Sequence, residues 1–116
     1  MENNKRGIIK LLNELGVPAS YTGYNYIVEE SLIILDKTSH NKKVVIYDTY
    51  KEVADKFNTN IFNVEKDIRW TIESTFKTAR TSNIDKLFYN VSNYYQDRPT
   101  NKLFLLTIVN NYISEL

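Results

Sequence analysis

The stretch NTNIFNVEKDIRW, residues 58–70, sets a polar turn directly ahead of a segment that mixes charged and apolar residues. From Ile61 onward, Ile61, Val64, Ile68, Ile72 and Phe76 recur at spacings of three and four, which predicts a helix of about four turns. Ahead of the turn, DTYKEVADKF (48–57) places Tyr50, Val53, Ala54 and Phe57 on one helical face. Thr59 or Asn60 is the expected N-cap, because a short polar side chain there accepts one of the orphan N–H groups of a helix start. A helix, a tight polar turn and a longer amphipathic helix form the outline of a helix-turn-helix.

The rest of the chain supports a helical framework around this pair. Three glycines and two prolines are few breakers for 116 residues. Ile8, Leu11, Leu12 and Leu15 form a helical stripe closed by GVP at 16–18, a Gly stop with Pro soon after. A second helix is expected from near Gly23, with Ile27, Leu32 and Leu35 inward, ending in the polar KTSHNKK at 37–43. VVIY at 44–47 is β-branched, but it leads into the 48–57 segment and is read as the start of that helix. NIDKLFY (83–89) suits a brief helix, NVSNYYQDR (90–98) a loop, and PTN (99–101) the opening of a last helix with Leu103, Leu106, Val109 and Ile113 inward. The expected fold is an all-α bundle of about six helices containing a helix-turn-helix, with residues 1–7 as a short tail and 8–116 as one domain.

Composition narrows the function classes. The chain is 42% hydrophobic and 25% charged, the balance of a chain that can build a core. It has no cysteine, which excludes disulfide scaffolds and thiolate chemistry. Apolar runs such as LIIL (32–35) are too short to span a membrane, and no export signal follows MENNKRG, so the expected location is the cytoplasm. Net charge is +1, but residues 37–80 hold nine Lys/Arg against six Asp/Glu, a mild basic polarisation that suits a polyanionic partner.

On the 61–77 helix, with Val64 inward, Phe62, Glu65, Lys66, Arg69 and Glu73 fall on the outward face at about 100° per residue. Arg69 can bond both acceptors of a guanine edge, and Glu65 can accept from a cytosine amine. Thr59 and Asn63 sit where the first turn meets phosphate, with the positive helix end behind them. The competing view is a solvated face with weak ion pairs at spacings of three and four. Pattern alone leaves both open.

Several segments, taken in order, resemble the C-terminal effector domain of the stage zero sporulation protein A family, the sporulation response regulators of spore-forming bacteria. They are LLNELGVPASYTGYNYIVEE (11–30), YKEVADKFNT (50–59), NVEKDIRWTIE (63–73), LF (87–88) and PTNKLF (99–104). The likeness runs from about Ile8 to Tyr112. It implies a six-helix domain that binds short promoter elements in double-stranded DNA, contacts RNA polymerase, and occupies adjacent sites as a DNA-assisted homodimer. It also implies base contacts from Glu65, Lys66 and Arg69, with Lys66 standing where the family has Arg. Thr59, Asn60, Phe62, Asn63 and Trp70 are expected as backbone or accessory contacts.

The departures reduce positive charge. Asn63 opens the reading helix where the family has Arg or a similar residue, Asp67 replaces a small residue, and Trp70 replaces a His. Tyr47 stands for a Lys, Lys51 for a Pro, and Thr78-Ala79-Arg80 for Arg-Gly-Asn. Since phosphate contacts supply much of protein–DNA affinity, a different site or weaker binding is expected. Met1 and the polar residues after it read as a native start. The expectation is therefore a stand-alone domain without the family's phosphorylatable receiver, regulated by abundance or a partner.

No catalytic site is expected. His40 is the single histidine and lies in a polar connection, and no phosphate loop, metal-ligand spacing or nucleophile motif is present. Glu29 and Glu30, adjacent on a helix, diverge by about 100° and are read as surface. No cofactor or metal is expected. The second function class is a protein-interaction module or antagonist that keeps the fold without specific DNA binding. The nine tyrosines, Tyr94 and Tyr95 among them, would supply its contacts.

Overall fold

The computed structural model describes residues 2–78, 83, 84, 86–88 and 98–116. Among these the chain is all-α: α1 Glu2–Leu15, α2 Thr22–Ser39, α3 Ile46–Lys56, α4 Ile61–Thr78, a short α5 at residues 83, 84 and 86–88, and α6 Asn101–Ser114. No strand occurs among the described residues; of VVIY, read as the start of this helix, Ile46 and Tyr47 open α3 while Val44 and the extended cap residue Val45 precede it. The loop reading of 90–98, with Tyr94 and Tyr95, and the Ala79-Arg80 departure fall outside the described residues, apart from Arg98.

Three of the helices stop in the same way. After α1, Gly16 has φ 85°, Val17 N–H donates to the Leu12 carbonyl at 3.0 Å, and Gly16 N–H donates to Asn13 at 3.1 Å. After α2, Asn41 (φ 56°) is followed by Lys42 N–H donating to Lys37 at 2.8 Å. After α3, Asn58 (φ 53°) is followed by Thr59 N–H donating to Ala54 at 2.9 Å. Each is a left-handed residue with a six-to-one backbone bond that satisfies an end-of-helix carbonyl. Only Gly and Asn occupy the left-handed position, the residues for which that backbone costs least.

Helix α2 is the axis of the bundle and packs against α1, α3, α4 and α6. Contact on several sides explains two differences from the sequence reading. Leu32 is only half-buried, whereas Ile34 is fully buried; Glu29 and Glu30, read as surface, are buried as well. The Glu29 carboxylate receives Lys56 at 2.8 Å and Lys5 at 3.9 Å, which compensates its burial. Gly23 lets α2 approach α4: a Cβ there would lie 2.3 Å from the Asp67 carbonyl oxygen and 2.3 Å from Thr71 Oγ1.

Helix α6 turns a different face inward from the one expected. Phe104, Leu105, Ile108, Val109 and Tyr112 are buried, Leu103 and Ile113 are exposed, and Leu106 is half-buried. Apolar residues fill almost every position from 103 to 109, so two faces satisfy the three-and-four spacing. Tertiary partners choose between them. Phe104 stacks on Phe88 with ring centroids 5.4 Å apart, and the Tyr112 hydroxyl donates to Asn4 Oδ1 at 2.7 Å. That last bond also places residues 2–7, expected as a tail, within α1.

The core joins the stripes of all six helices. Ile8, Leu12 and Leu15 meet Ile27, Ile34, Val53, Val64, Ile68, Ile72, Ile84 and Ile108, each at most 1% exposed. Each such side chain contributes about 1.5–3 kcal/mol of burial free energy relative to exposure. At the far end of α4, Phe76 meets Phe88 and Phe104 edge-on at 5.4 and 6.3 Å, so the helix is anchored by its inward stripe and its tail.

Candidate nucleic-acid interface

The turn between α3 and α4 is determined at both sides. On the α3 side, Asn58 and the Thr59–Ala54 bond close the helix, and Phe57 packs edge-on against Tyr26 of α2 at 5.2 Å. On the α4 side, Asn60 is the N-cap: its Oδ1 accepts Asn63 N–H at 2.8 Å while its carbonyl accepts Val64 N–H at 3.1 Å. Thr59 does not cap; its Oγ1 accepts the Asn63 side-chain amide at 3.1 Å. Thr59, Asn60 and Asn63 thus form one connected polar group at the start of α4.

Beyond the cap, Val64, Ile68, Thr71, Ile72, Thr75 and Phe76 turn inward. Phe62, Glu65, Lys66, Arg69 and Glu73 lie on the opposite side, as the helical angles require; Phe62 is exposed and the four charged residues are half-buried. Phe62 is 66% exposed and Trp70 51% exposed, large apolar exposures for two side chains on one short helix. Trp70 is held all the same, its ring edge-on to Tyr21 at 4.9 Å. Tyr21 lies just before α2, so the aromatic pair joins the entry of α2 to the middle of α4.

The charges on this face are paired within or beside the helix. Arg69 Nη1 donates to Glu65 Oε2 one turn earlier. Lys66 Nζ lies 3.5 Å from Asp67 Oδ1 and 5.8 Å from the centroid of the Phe62 ring. Glu73 Oε2 receives Arg98 at 2.8 Å. Pairs this exposed contribute about 0–1 kcal/mol each, so a stronger anionic partner can displace them.

Three participants were not visible in the sequence. Asn101, the first residue of α6, donates through its side-chain amide to Tyr50 Oη of α3 and to the Glu65 carbonyl of α4, both at 3.1 Å. Burial pushes the Tyr50 hydroxyl above its ordinary pKa, so it stays a neutral phenol. Arg98 reaches Glu73 from the segment just before α6. The capping pattern PTN locates the start of α6, which Thr100 caps through Leu103 N–H at 3.2 Å. Nothing in the letters says that this start meets α4. His40 caps α2, its Nδ1 2.8 Å from the Asp36 carbonyl, and stands apart from this face.

The arrangement offers a positive helix end with small polar groups, a central Glu–Arg pair, a lysine and two aromatic rings. Such a face can meet phosphate with its first turn and base edges with its middle. Among the described residues, no helix is long and apolar enough to cross a membrane. The family model described as Sporulation initiation factor Spo0A C terminal matches residues 8–112, all but the two ends of the chain. With the six helices and the helix pair in place, the chain belongs to this family of DNA-binding effector domains of a sporulation initiation factor.

Proposed function

We propose that the chain is a sequence-specific transcriptional regulator that inserts α4, residues Ile61–Thr78, into the major groove of double-stranded DNA. Arg69 reads a guanine, Glu65 accepts from a neighbouring cytosine, and Lys66 serves an adjacent base edge or phosphate. Thr59, Asn60 and Asn63 approach the backbone at the start of the helix. Phe62 and Trp70 pack against sugar or a thymine methyl. A DNA-assisted pair of copies on adjacent sites, and contact with RNA polymerase, complete the regulator.

The observation that carries this is the doubly determined turn. The left-handed Asn58 and the Asn60 cap fix where α3 ends and where α4 begins. The face so presented bears Glu65, Lys66 and Arg69, all half-buried, with the start of α6 along one edge at Glu65. Family membership supports DNA as the partner.

The test is a nuclear magnetic resonance titration of the chain with short duplexes. Amide shifts confined to residues 58–73 and the start of α6 support the proposal. Shifts confined to the opposite side of the bundle, or none at duplex excess, overturn it in favour of a protein partner.

A further inference from the structure

Asn101 belongs to the last helix, yet its side-chain amide ends between the two helices of the reading unit. Its two N–H bonds go to Tyr50 Oη on α3 and to the Glu65 carbonyl on α4, each at 3.1 Å. An amide nitrogen has two protons, and both are used. The Glu65 carbonyl lies on the backbone turn that carries the Glu65–Arg69 pair. About two turns beyond Glu65, Arg98 holds Glu73 at 2.8 Å. Arg98 and Asn101, just before and at the start of α6, therefore grip α4 at Glu73 and at Glu65, and Asn101 also grips α3. A shallow basin of about 380 Å³ marks the junction, lined by Tyr50, Glu65, Arg69, Arg98, Asn101 and Lys102 among others.

We infer that Asn101 is a positioning residue for base reading, bridging Tyr50 and the Glu65 backbone so that α4 keeps one rotation and depth relative to α3. The inference rests on the proposal that α4 reads DNA. It assigns no base contact to Asn101 itself. Base edges must be met to within a few tenths of an ångström, and a side-chain bond from a third helix restrains what the short turn at 57–60 leaves free. Tyr50 is suited to its part. It is 7% exposed, so its ring is fixed by the core while its hydroxyl reaches the amide.

The experiment measures affinity for a duplex enriched from a random pool by the wild-type chain, and for a scrambled duplex of the same composition. Wild type, Asn101→Ala, Asn101→Asp and Tyr50→Phe are compared, with unfolding midpoints and salt slopes alongside. Asn101→Asp keeps the shape and suits the first turn of a helix, but it cannot donate to the Glu65 carbonyl. The expected result is a specificity ratio lower by roughly three- to tenfold in both Asn101 variants, the yield of one to two ordinary hydrogen bonds. The salt slope of Asn101→Ala and of Tyr50→Phe stays at its wild-type value, because neither changes a charge or loses a phosphate contact. Tyr50→Phe gives a smaller loss, and none beyond that of Asn101→Ala when the two are combined.

An unchanged ratio in the Asn101 variants overturns the inference, as does a loss that only follows the unfolding midpoint. If the wild type itself shows no ratio above one, the DNA-reading proposal fails instead. Residual dipolar couplings of the DNA-free chain then decide: a changed angle between α3 and α4 in Asn101→Ala upholds the positioning role, and an unchanged angle overturns it.

Discussion

The Arg69 guanidinium donates to the Glu65 carboxylate one turn earlier on α4, so the two residues proposed to read bases are held as a unit before any DNA arrives. Breaking the unit from either end has opposite consequences for background binding. Arg69→Ala leaves an uncompensated carboxylate facing the duplex, and specific affinity is expected to fall by about 1–3 kcal/mol with background binding also weaker. Glu65→Ala releases a cation, so background binding rises while discrimination between duplexes falls. Fluorescence anisotropy on specific and scrambled duplexes at one salt concentration checks both.

Lys66 and Asp67 separate phosphate attraction from base reading. Lys66 lies 3.5 Å from Asp67, a carboxylate on the adjacent position of the same helix. Lys66→Ala is expected to lower the salt slope of binding by about one, with similar weakening on every sequence. Asp67→Asn is expected to strengthen binding to all sequences, most at low salt, because it removes a negative charge beside the polyanion. Salt titrations of the two variants measure these changes.

Gly23 controls how closely α2 supports α4. A methyl group there would meet the Asp67 carbonyl oxygen at 2.3 Å, and that atom is backbone. Gly23→Ala is expected to destabilise the fold by roughly 1–3 kcal/mol, despite the better helix propensity of Ala. The exposed Asn25→Ala on the same helix serves as the control. Urea denaturation of both variants gives the comparison.

Glu30 makes stability depend on pH. It is 0% exposed, and the nearest hydroxyl, Thr49 Oγ1, donates to the Ile46 carbonyl at 2.7 Å. Burial pushes its pKa up to about 8, the nearby Glu52 adds to this, and the Thr49 hydroxyl works against it. In the unfolded chain the group titrates near its ordinary 4.5. Between these values the unfolded state has released a proton that the folded state still holds. Glu30's contribution to stability is therefore full below about pH 4.5, declines as pH rises, and levels off above about pH 8. The slope is up to about 1.4 kcal/mol per pH unit. Glu30→Gln cannot lose a proton, so its unfolding free energy is expected to vary less between pH 5 and 8 and to exceed wild type at pH 8. Urea denaturation across that range is the measurement.

The framework was legible wherever one face of a helix is apolar and the other is not. Ile8, Leu11, Leu12 and Leu15 on α1, and Val64, Ile68, Ile72 and Phe76 on α4, are buried as their spacing requires. Legibility failed where a helix is apolar all round or is covered on several sides. In α6 the letters permit two inward faces, and Phe88 and Asn4 decide for the one with Phe104 and Tyr112. In α2 the central position of the helix buries Glu29 and Glu30, which no periodicity reveals. At the candidate site, the Asn60 cap and the outward face of α4 follow from local rules. The Asn101 bridge joins residues 36 and 51 positions apart and depends on how helices from different parts of the chain meet.

The most direct measurement is selection of bound sequences from a random duplex pool at near-physiological salt, with wild type and Arg69→Ala run in parallel. A motif enriched by the wild type, with its guanine position lost in Arg69→Ala, is the predicted result. Only salt-sensitive binding without enrichment, or the same motif drawn by both chains, would contradict base reading by α4.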